Sequence, residues 1–483
     1  MVSTMKSVEE VTIPEGYKQT EVGVIPEDWR IHEFGELVNY IKGYPFKSSE
    51  YTNDGIRVIR VSDTTRDSIA DKNAVFVTSN SSIKYKKWKL KESDLIFTTV
   101  GSKPPMYDSL VGKAIFVTAA YDGSLLNQNA VLIRSKNGAS YFQRLLLGHF
   151  RTERYIDHIE LIFRGNANQA SITLGNLFEF KLPIPSDIKE QTAIANALSD
   201  VDNLIASLET LIAKKSAIKT AAMQQLLTGK KRLPAFVKES EKQSSELDNT
   251  SETAQATQTK QTSTLNSDLY KKPSEGLDTK SNQHSDVGNA NNKQTAPRPG
   301  YKQTELGEIP EDWEVRVLGE SLSIMHGRDQ KQVECADGKF PILGTGGEMG
   351  RTDSYLYNKP SVLIGRKGSI NKPRYMDSPF WTVDTLFYSQ VSEKFNAKFI
   401  FYKFCMIDWM SYNEASGVPS LNSSTIESVM QVFPETREEQ TAIANVLSDM
   451  DTELEALQQR LNKTKTIKQG MMQELLTGKT RLV

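Results

Sequence analysis

The sequence is poor in the residues from which metal and redox sites are built. Its 483 residues include two cysteines, Cys335 and Cys405, and five histidines, and none of these has the spacing of a zinc site. Two distant cysteines give no disulfide framework, so we expect a reducing, cytoplasmic compartment. No stretch approaches the roughly 18 apolar residues of a transmembrane helix, and no apolar signal segment precedes the first motif. Secretion and membrane insertion are therefore not expected.

A basic excess is also absent, since the chain has 59 lysines and arginines and 60 aspartates and glutamates. A protein that binds nucleic acid strongly on its own usually carries a clear positive charge. If this chain binds DNA, local patches or partner subunits must supply much of the electrostatic attraction. With 38% hydrophobic and 25% charged residues, the composition is typical of a globular protein long enough for about three domains.

The motifs of common catalysts are missing as well. The glycines between Gly344 and Gly350 resemble a nucleotide-binding loop, but Met349 stands where the third glycine would be, so turn glycines are favoured. The chain has no GxxxxGK[ST] phosphate-binding motif and no HExxH zinc motif. The KPPM segment at 103–106 lacks the residues of an amino-methyltransferase tetrapeptide. We therefore expect no catalytic residue, no bound metal and no cofactor on this chain.

What the sequence does have is an internal repeat. EQTAIANALSDVD, from Glu190 to Asp202, returns 249 residues later as EQTAIANVLSDMD. GYKQTEVGVIPEDW, which starts at Gly16, returns from Gly300 as GYKQTELGEIPEDW, and the LLTGK segment of the first copy also returns in the second. The stretch between these motifs is 35 residues shorter in the second copy. A repeat of this kind suits a partner with two-fold character, and duplex DNA is the foremost example.

The repeat divides the chain into five segments: 16–186, a first variable domain; 187–233, a first helix; 234–299, a linker; 300–435, a second variable domain; and 436–483, a second helix. Short β-rich runs bounded by turn residues, together with longer aromatic and aliphatic runs, predict a mixture of strands and helices in both variable domains. The linker is dominated by Ser, Thr, Gln, Asn and Lys. Such a composition buries too little apolar surface to offset chain ordering, so we predict that the linker is disordered.

Both helical segments carry apolar residues at alternating spacings of four and three, the pattern of a coiled-coil seam. Asp187 with Glu190 and Thr436 with Glu439 have the spacing of a capping box. Two equal seams, each on a helix of about 60 Å, predict that the helices pair with each other, with two independent core helices as the alternative. Sequence alone leaves parallel and antiparallel pairing open, because a flexible linker of this length reaches either end. The seam residues are Ile194, Leu198, Val201, Ile205, Leu208 and Ile212 in the first copy and Ile443, Leu447, Met450, Leu454, Leu457 and Leu461 in the second.

Two segments of the first variable domain have the composition of a DNA-binding surface. KYKKWKLK at 84–91 places lysines around two aromatic residues, which suits phosphate contacts and a stacking face, although a lysine-protected edge strand is the alternative. RGNANQ at 164–169 presents forked side chains that suit base edges in the major groove. The candidate DNA-binding residues of this domain are Lys84, Lys86, Lys87, Trp88, Lys103, Arg164, Asn166, Asn168 and Gln169.

The second variable domain offers a corresponding pair of loops. SGVPSLN at 416–422 stands at the place of the RGNANQ loop, just before the second helix, and RKGSIN at 366–371 is a further basic loop. Different polar groups at a matching place predict that a different base sequence is read. Ordinary polar turns are the alternative for all of these loops. The candidate DNA-binding residues here are Arg366, Lys367, Asn371, Arg374, Ser416 and Asn422.

The order of these motifs resembles the specificity subunit of type I restriction-modification systems. In both copies an IPEDW motif precedes a divergent region, an EQTAIAN helix start and an LLTGK segment, and the resemblance covers the chain except the linker. GIRVIRVSD from Gly55 and SVLIGRKGSI from Ser361 are similar to recurring segments of the family's recognition domains. The resemblance implies an α+β fold in which two mixed α/β target recognition domains are joined by two long antiparallel coiled-coil helices in a pseudo-two-fold internal repeat.

The resemblance also implies that the chain recognises double-stranded DNA and catalyses no reaction. In the family, each domain reads one half of a split target, and the helices set the spacing and bind two modification subunits. Those methyltransferase subunits hold S-adenosylmethionine and methylate adenine, and restriction subunits cleave DNA with ATP and Mg. The alternative left open by the residues themselves is a non-catalytic protein-interaction scaffold with paired coiled-coil helices.

Overall fold

The computed structural model describes residues 13–166, 169–238 and 297–482. Most of the predicted linker, residues 239–296, lies outside the described residues. The chain divides into two units, the first formed by Met1–Ile212 with Leu457–Val483 and the second by Ala213–Ala456. Both division points fall inside a long helix, so each unit takes one part of each helix.

Strands of two to six residues build the first unit, because turn residues interrupt its β-rich runs. They are β1 Tyr17–Thr20, β2 Gly23–Pro26, β3 Arg30–Glu33, β4 Val38–Lys42, β5 Ile56–Ile59, β6 Val75–Val77, β7 Leu95–Thr98, β8 Val100–Gly101, β9 Ala114–Phe116, β10 Leu125–Leu126, β11 Ala130–Ser135, β12 Arg164–Asn166, β13 Gln169–Ser171 and β14 Lys181–Ile184. The largest sheet has the order β4-β11-β7-β9, and two smaller sheets have the orders β10-β5-β6 and β12-β13-β8.

The helices of the first unit pack around one hydrophobic core. Inward residues of the central strand β11 and of the neighbouring helix, such as Ile133 and Leu146, are fully buried in it. The start of the first long helix adds Ile194 and the end of the second long helix adds Leu475, so both long helices complete this core. The helices that begin in this unit are α1 Phe34–Leu37, α2 Ser140–His149, α3 Glu153–Ile162, α4 Leu174–Phe178 and α5 Ile188–Leu226.

The second unit repeats this plan with fewer strands. Its largest sheet is antiparallel, and Phe387 and Phe399 lie in a core that Leu226 and Leu447 of the two long helices complete. Its strands are β15 Tyr301–Thr304, β16 Gly307–Pro310, β17 Glu314–Val317, β18 Leu322–Met325, β19 Phe340–Gly344, β20 Gly347–Thr352, β21 Ser361–Gly365, β22 Arg374–Met376, β23 Trp381–Thr382, β24 Leu386–Val391 and β25 Met430–Phe433. Its helices are α6 Ala397–Met406, α7 Ser423–Ser428 and α8 Arg437–Leu475. The largest sheet has the order β18-β24-β21-β22.

Ion pairs between α5 and α8 show the direction in which these helices run. In the first unit, Lys468 Nζ lies 2.5 Å from Asp202 Oδ1 and Lys465 Nζ lies 2.7 Å from Glu209 Oε1. Residue numbers therefore rise along one helix as they fall along the other. The second unit repeats the pattern, because α5 lysines there pair with Glu453 and with Asp451. The helices are antiparallel, as the family resemblance implied.

The predicted seam residues lie between the helices to different depths. Six of them are buried, namely Ile194, Leu198, Leu208, Ile443, Leu447 and Leu461, and the other six are half-buried.

The helix starts differ from the capping-box prediction in one respect. Thr436 Oγ1 accepts from the backbone N–H of Glu439 at 3.3 Å, but the carboxylates of Glu439 and Glu190 bind tryptophan and arginine side chains instead of completing the box. The reciprocal half of the capping-box prediction is therefore wrong.

Candidate nucleic-acid interface

The predicted RGNANQ loop of the first unit is a β-hairpin. Its strands β12 and β13 pair antiparallel, and β13 pairs in turn with β8 through Ala170 with Gly101 and Ser171 with Val100. Gly165 has a φ of +103°, a backbone conformation that favours glycine because it has no Cβ atom. Pairing with β8 therefore fixes one side of the hairpin, and Gly165 allows the backbone conformation that β12 adopts.

The candidate residues of this region lie on or beside the hairpin. Arg164 is exposed at the start of β12, Asn166 ends that strand and Gln169 begins β13. Lys103 is exposed in the segment that follows β8. Asn168 lies outside the described residues. Contact of these residues with DNA stays a prediction.

The lysine-rich segment forms a turn and a short 3₁₀ helix, so the edge-strand alternative is wrong. Tyr85 is 1% exposed and its hydroxyl donates to Glu50 Oε1 at 2.5 Å, so this ring belongs to the core. The Trp88 indole N–H donates to the carbonyl of Lys42 at 3.0 Å, and its ring lies 4.6 Å from that of Tyr44. These contacts give Trp88 a packing role. The exposed cations of the segment are Lys84, Lys86 and Lys87.

The structure brings the two predicted loops of the second unit together. Lys367 and Ser420 form an isolated antiparallel β-bridge. The backbone N–H of Leu421 donates to the carbonyl of Arg366 at 3.0 Å, and that of Gly368 donates to Pro419 at 2.8 Å. Two segments about 50 residues apart in sequence thus form one surface element. The exposed candidates on it are Lys367, Asn371, Ser416 and Asn422, while Arg366 is half-buried.

Two candidates of the second unit also have structural partners. The Arg374 guanidinium donates to the carbonyls of Gly344 and Thr345 at 2.5 and 3.0 Å, and burial lowers its pKa from the ordinary value. Asn422 is the N-cap of α7, where its side chain accepts from the backbone N–H of Ser424 at 3.2 Å. The glycine-rich segment that Arg374 holds is the turn between β19 and β20, as expected for turn glycines.

The two units place these loops at equivalent positions. Ser171 pairs with Val100 in the first unit, and Ser420 pairs with Lys367 in the second. The two serines differ by 249 residues, the same offset that relates the repeated helices. Each unit therefore joins the loop before its long helix to the loop after a central strand of its largest sheet. The junction is the same, whereas the exposed side chains on it differ.

Four side chains form a cluster at the IPEDW motif of the first unit. We name it the first Arg–Glu–Trp cluster. The guanidinium of Arg481 donates to both carboxylate oxygens of Glu190 at 2.5 and 2.8 Å and to Asp28 at 3.0 and 2.9 Å. The indole N–H of Trp29 donates to Glu190 at 3.2 Å. Both Trp29 and Glu190 are 0% exposed, so the cluster is anchored in the core.

The second Arg–Glu–Trp cluster has the same geometry in the second unit. Arg232 donates to Glu439 at 3.0 and 2.6 Å and to Asp312 at 3.2 Å, and the indole N–H of Trp313 donates to Glu439 at 3.3 Å. Each cluster takes its tryptophan and glutamate from one copy of the repeat and its arginine from the other. Neither cluster was predicted from the sequence, where Glu190 and Glu439 were assigned to capping boxes; the repetition of these residues in an otherwise divergent chain was the available signal.

Catalytic features are not apparent in the part of the chain that the structure describes. Across residues 13–166, 169–238 and 297–482, no group of three His, Cys, Asp or Glu residues could hold a metal ion. His149 is fully enclosed, and burial lowers its pKa to about 3, so it is neutral at physiological pH. None of the helices within those ranges is both long enough and apolar enough to cross a membrane.

The repeated arrangement matches a known family. Residues 26–216 and 310–466 match the family model described as type I restriction modification DNA specificity domain. The chain belongs to this family. The two matched ranges contain both long helices except their ends, and both loop junctions described above. The resemblance of the repeated motifs to type I specificity subunits is thereby confirmed.

Individual relatives of this specificity-domain family match nearly the full length of the chain. A protein of Methanocaldococcus jannaschii, described as the type I restriction enzyme MjaX specificity subunit, is 24% identical over 97% of this chain and 97% of its own length. The MjaVIII specificity subunit of the same organism is 22% identical over 97% of this chain and 96% of its own length. A crystal structure of a type I restriction-modification S subunit from M. genitalium has a TM-score of 0.55 at 14% identity and covers 92% of this chain and 96% of that one. At this identity, the structural likeness shows the fold.

Proposed function

We propose that this chain is the DNA-recognition subunit of a type I restriction-modification complex and that each unit reads one half of a bipartite duplex target. The observation that carries this proposal is the equivalent loop junction of the two units. It is built from matching positions, Ser171 with Val100 and Ser420 with Lys367, but presents different exposed side chains. A common backbone with different polar groups is what two recognition surfaces for two different base sequences require.

The exposed residues suit this division of labour between phosphate and base contacts. Arg164 has the forked geometry that binds the O6 and N7 atoms of guanine, and the neighbouring amides suit adenine. Lys84, Lys86, Lys87 and Lys367 are exposed cations that suit phosphates. Because the formal net charge is −1, we propose that partner subunits share the phosphate contacts. DNA binding by this chain alone should then be weak and sensitive to salt.

We further propose that the long helices bind two modification subunits and that restriction subunits join the complex. Exposed apolar side chains of the long helices that are not seam residues support a protein partner. In the first unit Leu204, Leu211 and Ile467 are 39%, 38% and 49% exposed, and in the second unit Ile218 is 44% exposed. Under this proposal S-adenosylmethionine, ATP and Mg belong to the partner subunits. This chain then contributes recognition without catalysis, in the cytoplasm where the host DNA lies.

The helices also suit the task of fixing the gap between the two half-sites. Each of them runs for 39 residues without interruption, which corresponds to about 58 Å at 1.5 Å per residue. Ion pairs such as Lys468 with Asp202 fix their register. We propose that this helix length sets how many base pairs separate the half-sites.

Methylome sequencing of a host that expresses the system tests the proposal. The wild-type chain should produce adenine methylation at one split target, and deleting the chain should abolish it. Arg164→Ala should relax or abolish recognition in one half-site, because each lost base contact lowers the free energy of discrimination by about 1–3 kcal/mol. Recognition of the other half-site should be unchanged. Arg316→Ala, which removes a half-buried arginine on β17, is the matched control.

Two results would contradict the proposal. If Arg164→Ala abolished assembly with the modification subunits but left DNA contacts intact, the chain would be a protein-interaction scaffold. If the isolated chain methylated or cleaved DNA after addition of S-adenosylmethionine, its assignment as a non-catalytic subunit would be wrong.

A further inference from the structure

A cavity in the first unit lies against the strands that hold the recognition hairpin. Its volume is about 510 Å³. Strand β8 and the end of strand β13 form part of its wall, and these are the strands whose pairing fixes the hairpin. The lining combines apolar residues with several hydroxyl groups, one buried cation and one carboxylate, that of Asp108. The lining residues are Val61, Ser62, Thr64, Val100, Gly101, Asp108, Ser109, Lys113, Ala170 and Ser171.

Lys113 is the buried cation of this cavity, and it is 5% exposed. Its Nζ atom donates to the carbonyl of Thr64 at 2.8 Å and to the carbonyl of Asp108 at 2.5 Å. An ammonium group carries three N–H donors, and within the described part of the chain the third has no hydrogen-bond acceptor. Burial lowers the pKa of Lys113 to about 8, against the opposing charges of Asp108 and Asp67, so the group is still charged at pH 7.

The cost of this arrangement argues for a role beyond packing. A buried ammonium whose partners are two neutral carbonyls is expensive, because neither partner offsets its charge fully. A methionine could fill the same volume without that cost. A fold that keeps a charged donor at the wall of a concave, mostly apolar site provides one strong, oriented contact for an electron-rich ligand atom.

The segments that Lys113 joins are those that carry the exposed cations of this region. Thr64 is two residues before the exposed Arg66, whose guanidinium lies 5.0 Å from the centre of the Tyr107 ring. Asp108 follows Tyr107 and closes the segment that begins at the exposed Lys103. The cavity therefore lies where the turn after β5 meets two segments that carry candidate DNA-binding residues, the loop after β8 and the hairpin.

We propose that this cavity receives an electron-rich oxygen or nitrogen atom of the target duplex and that the free N–H of Lys113 binds it. A backbone phosphate oxygen and an acceptor on a base edge share this chemistry. The inference rests on the proposed function, because it makes the cavity part of the first half-site reader. Lys113 is then a DNA-binding residue that neither the local sequence pattern nor the family match identifies.

The second unit shows the simpler alternative. There, Arg374 also donates to two backbone carbonyls, those of Gly344 and Thr345, and holds a turn in place. Lys113 would have only this role if it merely tied together the segments at Thr64 and Asp108. The experiment must therefore separate loss of a DNA contact from loss of loop structure.

Two variants separate these roles. Lys113→Met removes the charged donor at similar volume, and Ser62→Phe fills the cavity from an exposed position without removing Lys113. Lys136→Met is the matched control, because Lys136 also donates to a backbone carbonyl, that of Glu36 at 2.7 Å, but is exposed and far from the lining in sequence. The full-length chain, purified with its modification subunits, is titrated with duplexes that carry the mapped target at several salt concentrations.

The expected results depend on which atom the cavity holds. If it is a phosphate oxygen, Lys113→Met reduces the slope of log affinity against log salt by about 0.9 and leaves base preference unchanged. If it is a base acceptor, discrimination falls at one base pair of the first half-site by about 5- to 150-fold, and the slope is unchanged. In either case Ser62→Phe weakens binding to the first half-site, and discrimination in the second half-site is retained.

Other outcomes overturn the inference. The first is that Lys113→Met binds DNA like the control Lys136→Met. The second is that Ser62→Phe binds like the wild type while Lys113→Met loses base preference at all positions of the first half-site. This second result would show that Lys113 only holds the segments at Thr64 and Asp108 together. If Lys113→Met fails to fold, Ser62→Phe decides. If the wild-type complex itself shows no preference for the target duplex, the proposed function has failed instead of the cavity assignment.

Discussion

Loss of the Arg232 side chain should destabilise the second unit strongly. It is 7% exposed as a residue and Glu439 is 2% exposed, so water reaches this pair poorly. Arg232→Met keeps much of the apolar stem but leaves the Glu439 carboxylate with the Trp313 indole N–H as its remaining side-chain donor. Removing one partner of a buried ion pair costs about 3–5 kcal/mol, because the other charge stays buried without compensation. We expect a loss of this order in the free energy of unfolding.

The same change in the first cluster should cost less. The side chain of Arg481 is 29% exposed and that of Asp28 is 49% exposed, so water can replace part of what Arg481→Met removes. We expect a loss of about 1–3 kcal/mol there, the range for an unsatisfied buried acceptor. Arg316→Met is the surface control, because its partners Glu314 and Glu320 are both exposed. Exposed pairs are worth up to about 1 kcal/mol, so this control should lose little.

Urea unfolding followed by hydrogen exchange would measure these losses unit by unit. Separate readouts are needed because a chain with two units is not expected to unfold in a single transition. Arg232→Met should weaken amide protection in the second unit, and Glu439→Gln added to it should recover part of the loss because it removes the uncompensated charge. The reasoning is refuted if Arg232→Met costs no more than Arg316→Met, or if the added Glu439→Gln deepens the loss.

Two further predictions concern the helices. Insertion of seven residues after Ala213 and after Leu457 keeps the heptad phase and lengthens both helices by about 10 Å, the length of about three base pairs. Methylome sequencing should then show a half-site gap that is changed by about three base pairs. An unchanged gap would contradict the spacing proposal. The buried Lys403 ammonium donates to the Leu227 carbonyl at 2.5 Å, and burial lowers its pKa to about 7. The unfolded chain keeps the Lys403 proton to higher pH than the folded chain does. The free energy of unfolding, measured by urea titration, should therefore rise between pH 7 and 10 by at most about 1.4 kcal/mol per pH unit. Lys403→Met should remove this rise.

The long helices were predictable because their signal is periodic and local. Apolar residues at spacings of three and four define a helix face regardless of what packs against it, and the predicted starts at 187 and 436 lie within one residue of the observed starts. The predicted ends at 233 and 483 lie seven and eight residues beyond the observed ends, Leu226 and Leu475. Direction was not predictable from the seam. It depends on pairs such as Lys465 with Glu209, which become neighbours only after the helices are aligned.

The interface was predictable as a set of loops but not as a set of contacts. Arg374 and Trp88 have the residue types of DNA-binding groups, yet the structure shows that their polar atoms bind backbone carbonyls. Nothing local in the sequence distinguishes these uses, because the acceptors lie about 30 to 46 residues away. Lys113 was missed for the converse reason. A single lysine between a glycine and a β-strand has no pattern until the fold encloses it.

The exchange of arginines between the two copies explains which parts of this chain are repeated. The first cluster needs Glu190 and Trp29 of the first copy and Arg481 of the second, and the second cluster needs Arg232 of the first copy. A change in any of these motifs therefore alters a buried charge cluster, at a cost of about 1–3 kcal/mol in the first cluster and about 3–5 kcal/mol in the second. The recognition loops contribute no side chain to either cluster among the described residues, so their exposed groups can change without loss of that charge balance. On this reasoning a new target specificity requires new loops, while the IPEDW, EQTAIAN and LLTGK motifs must stay matched to each other.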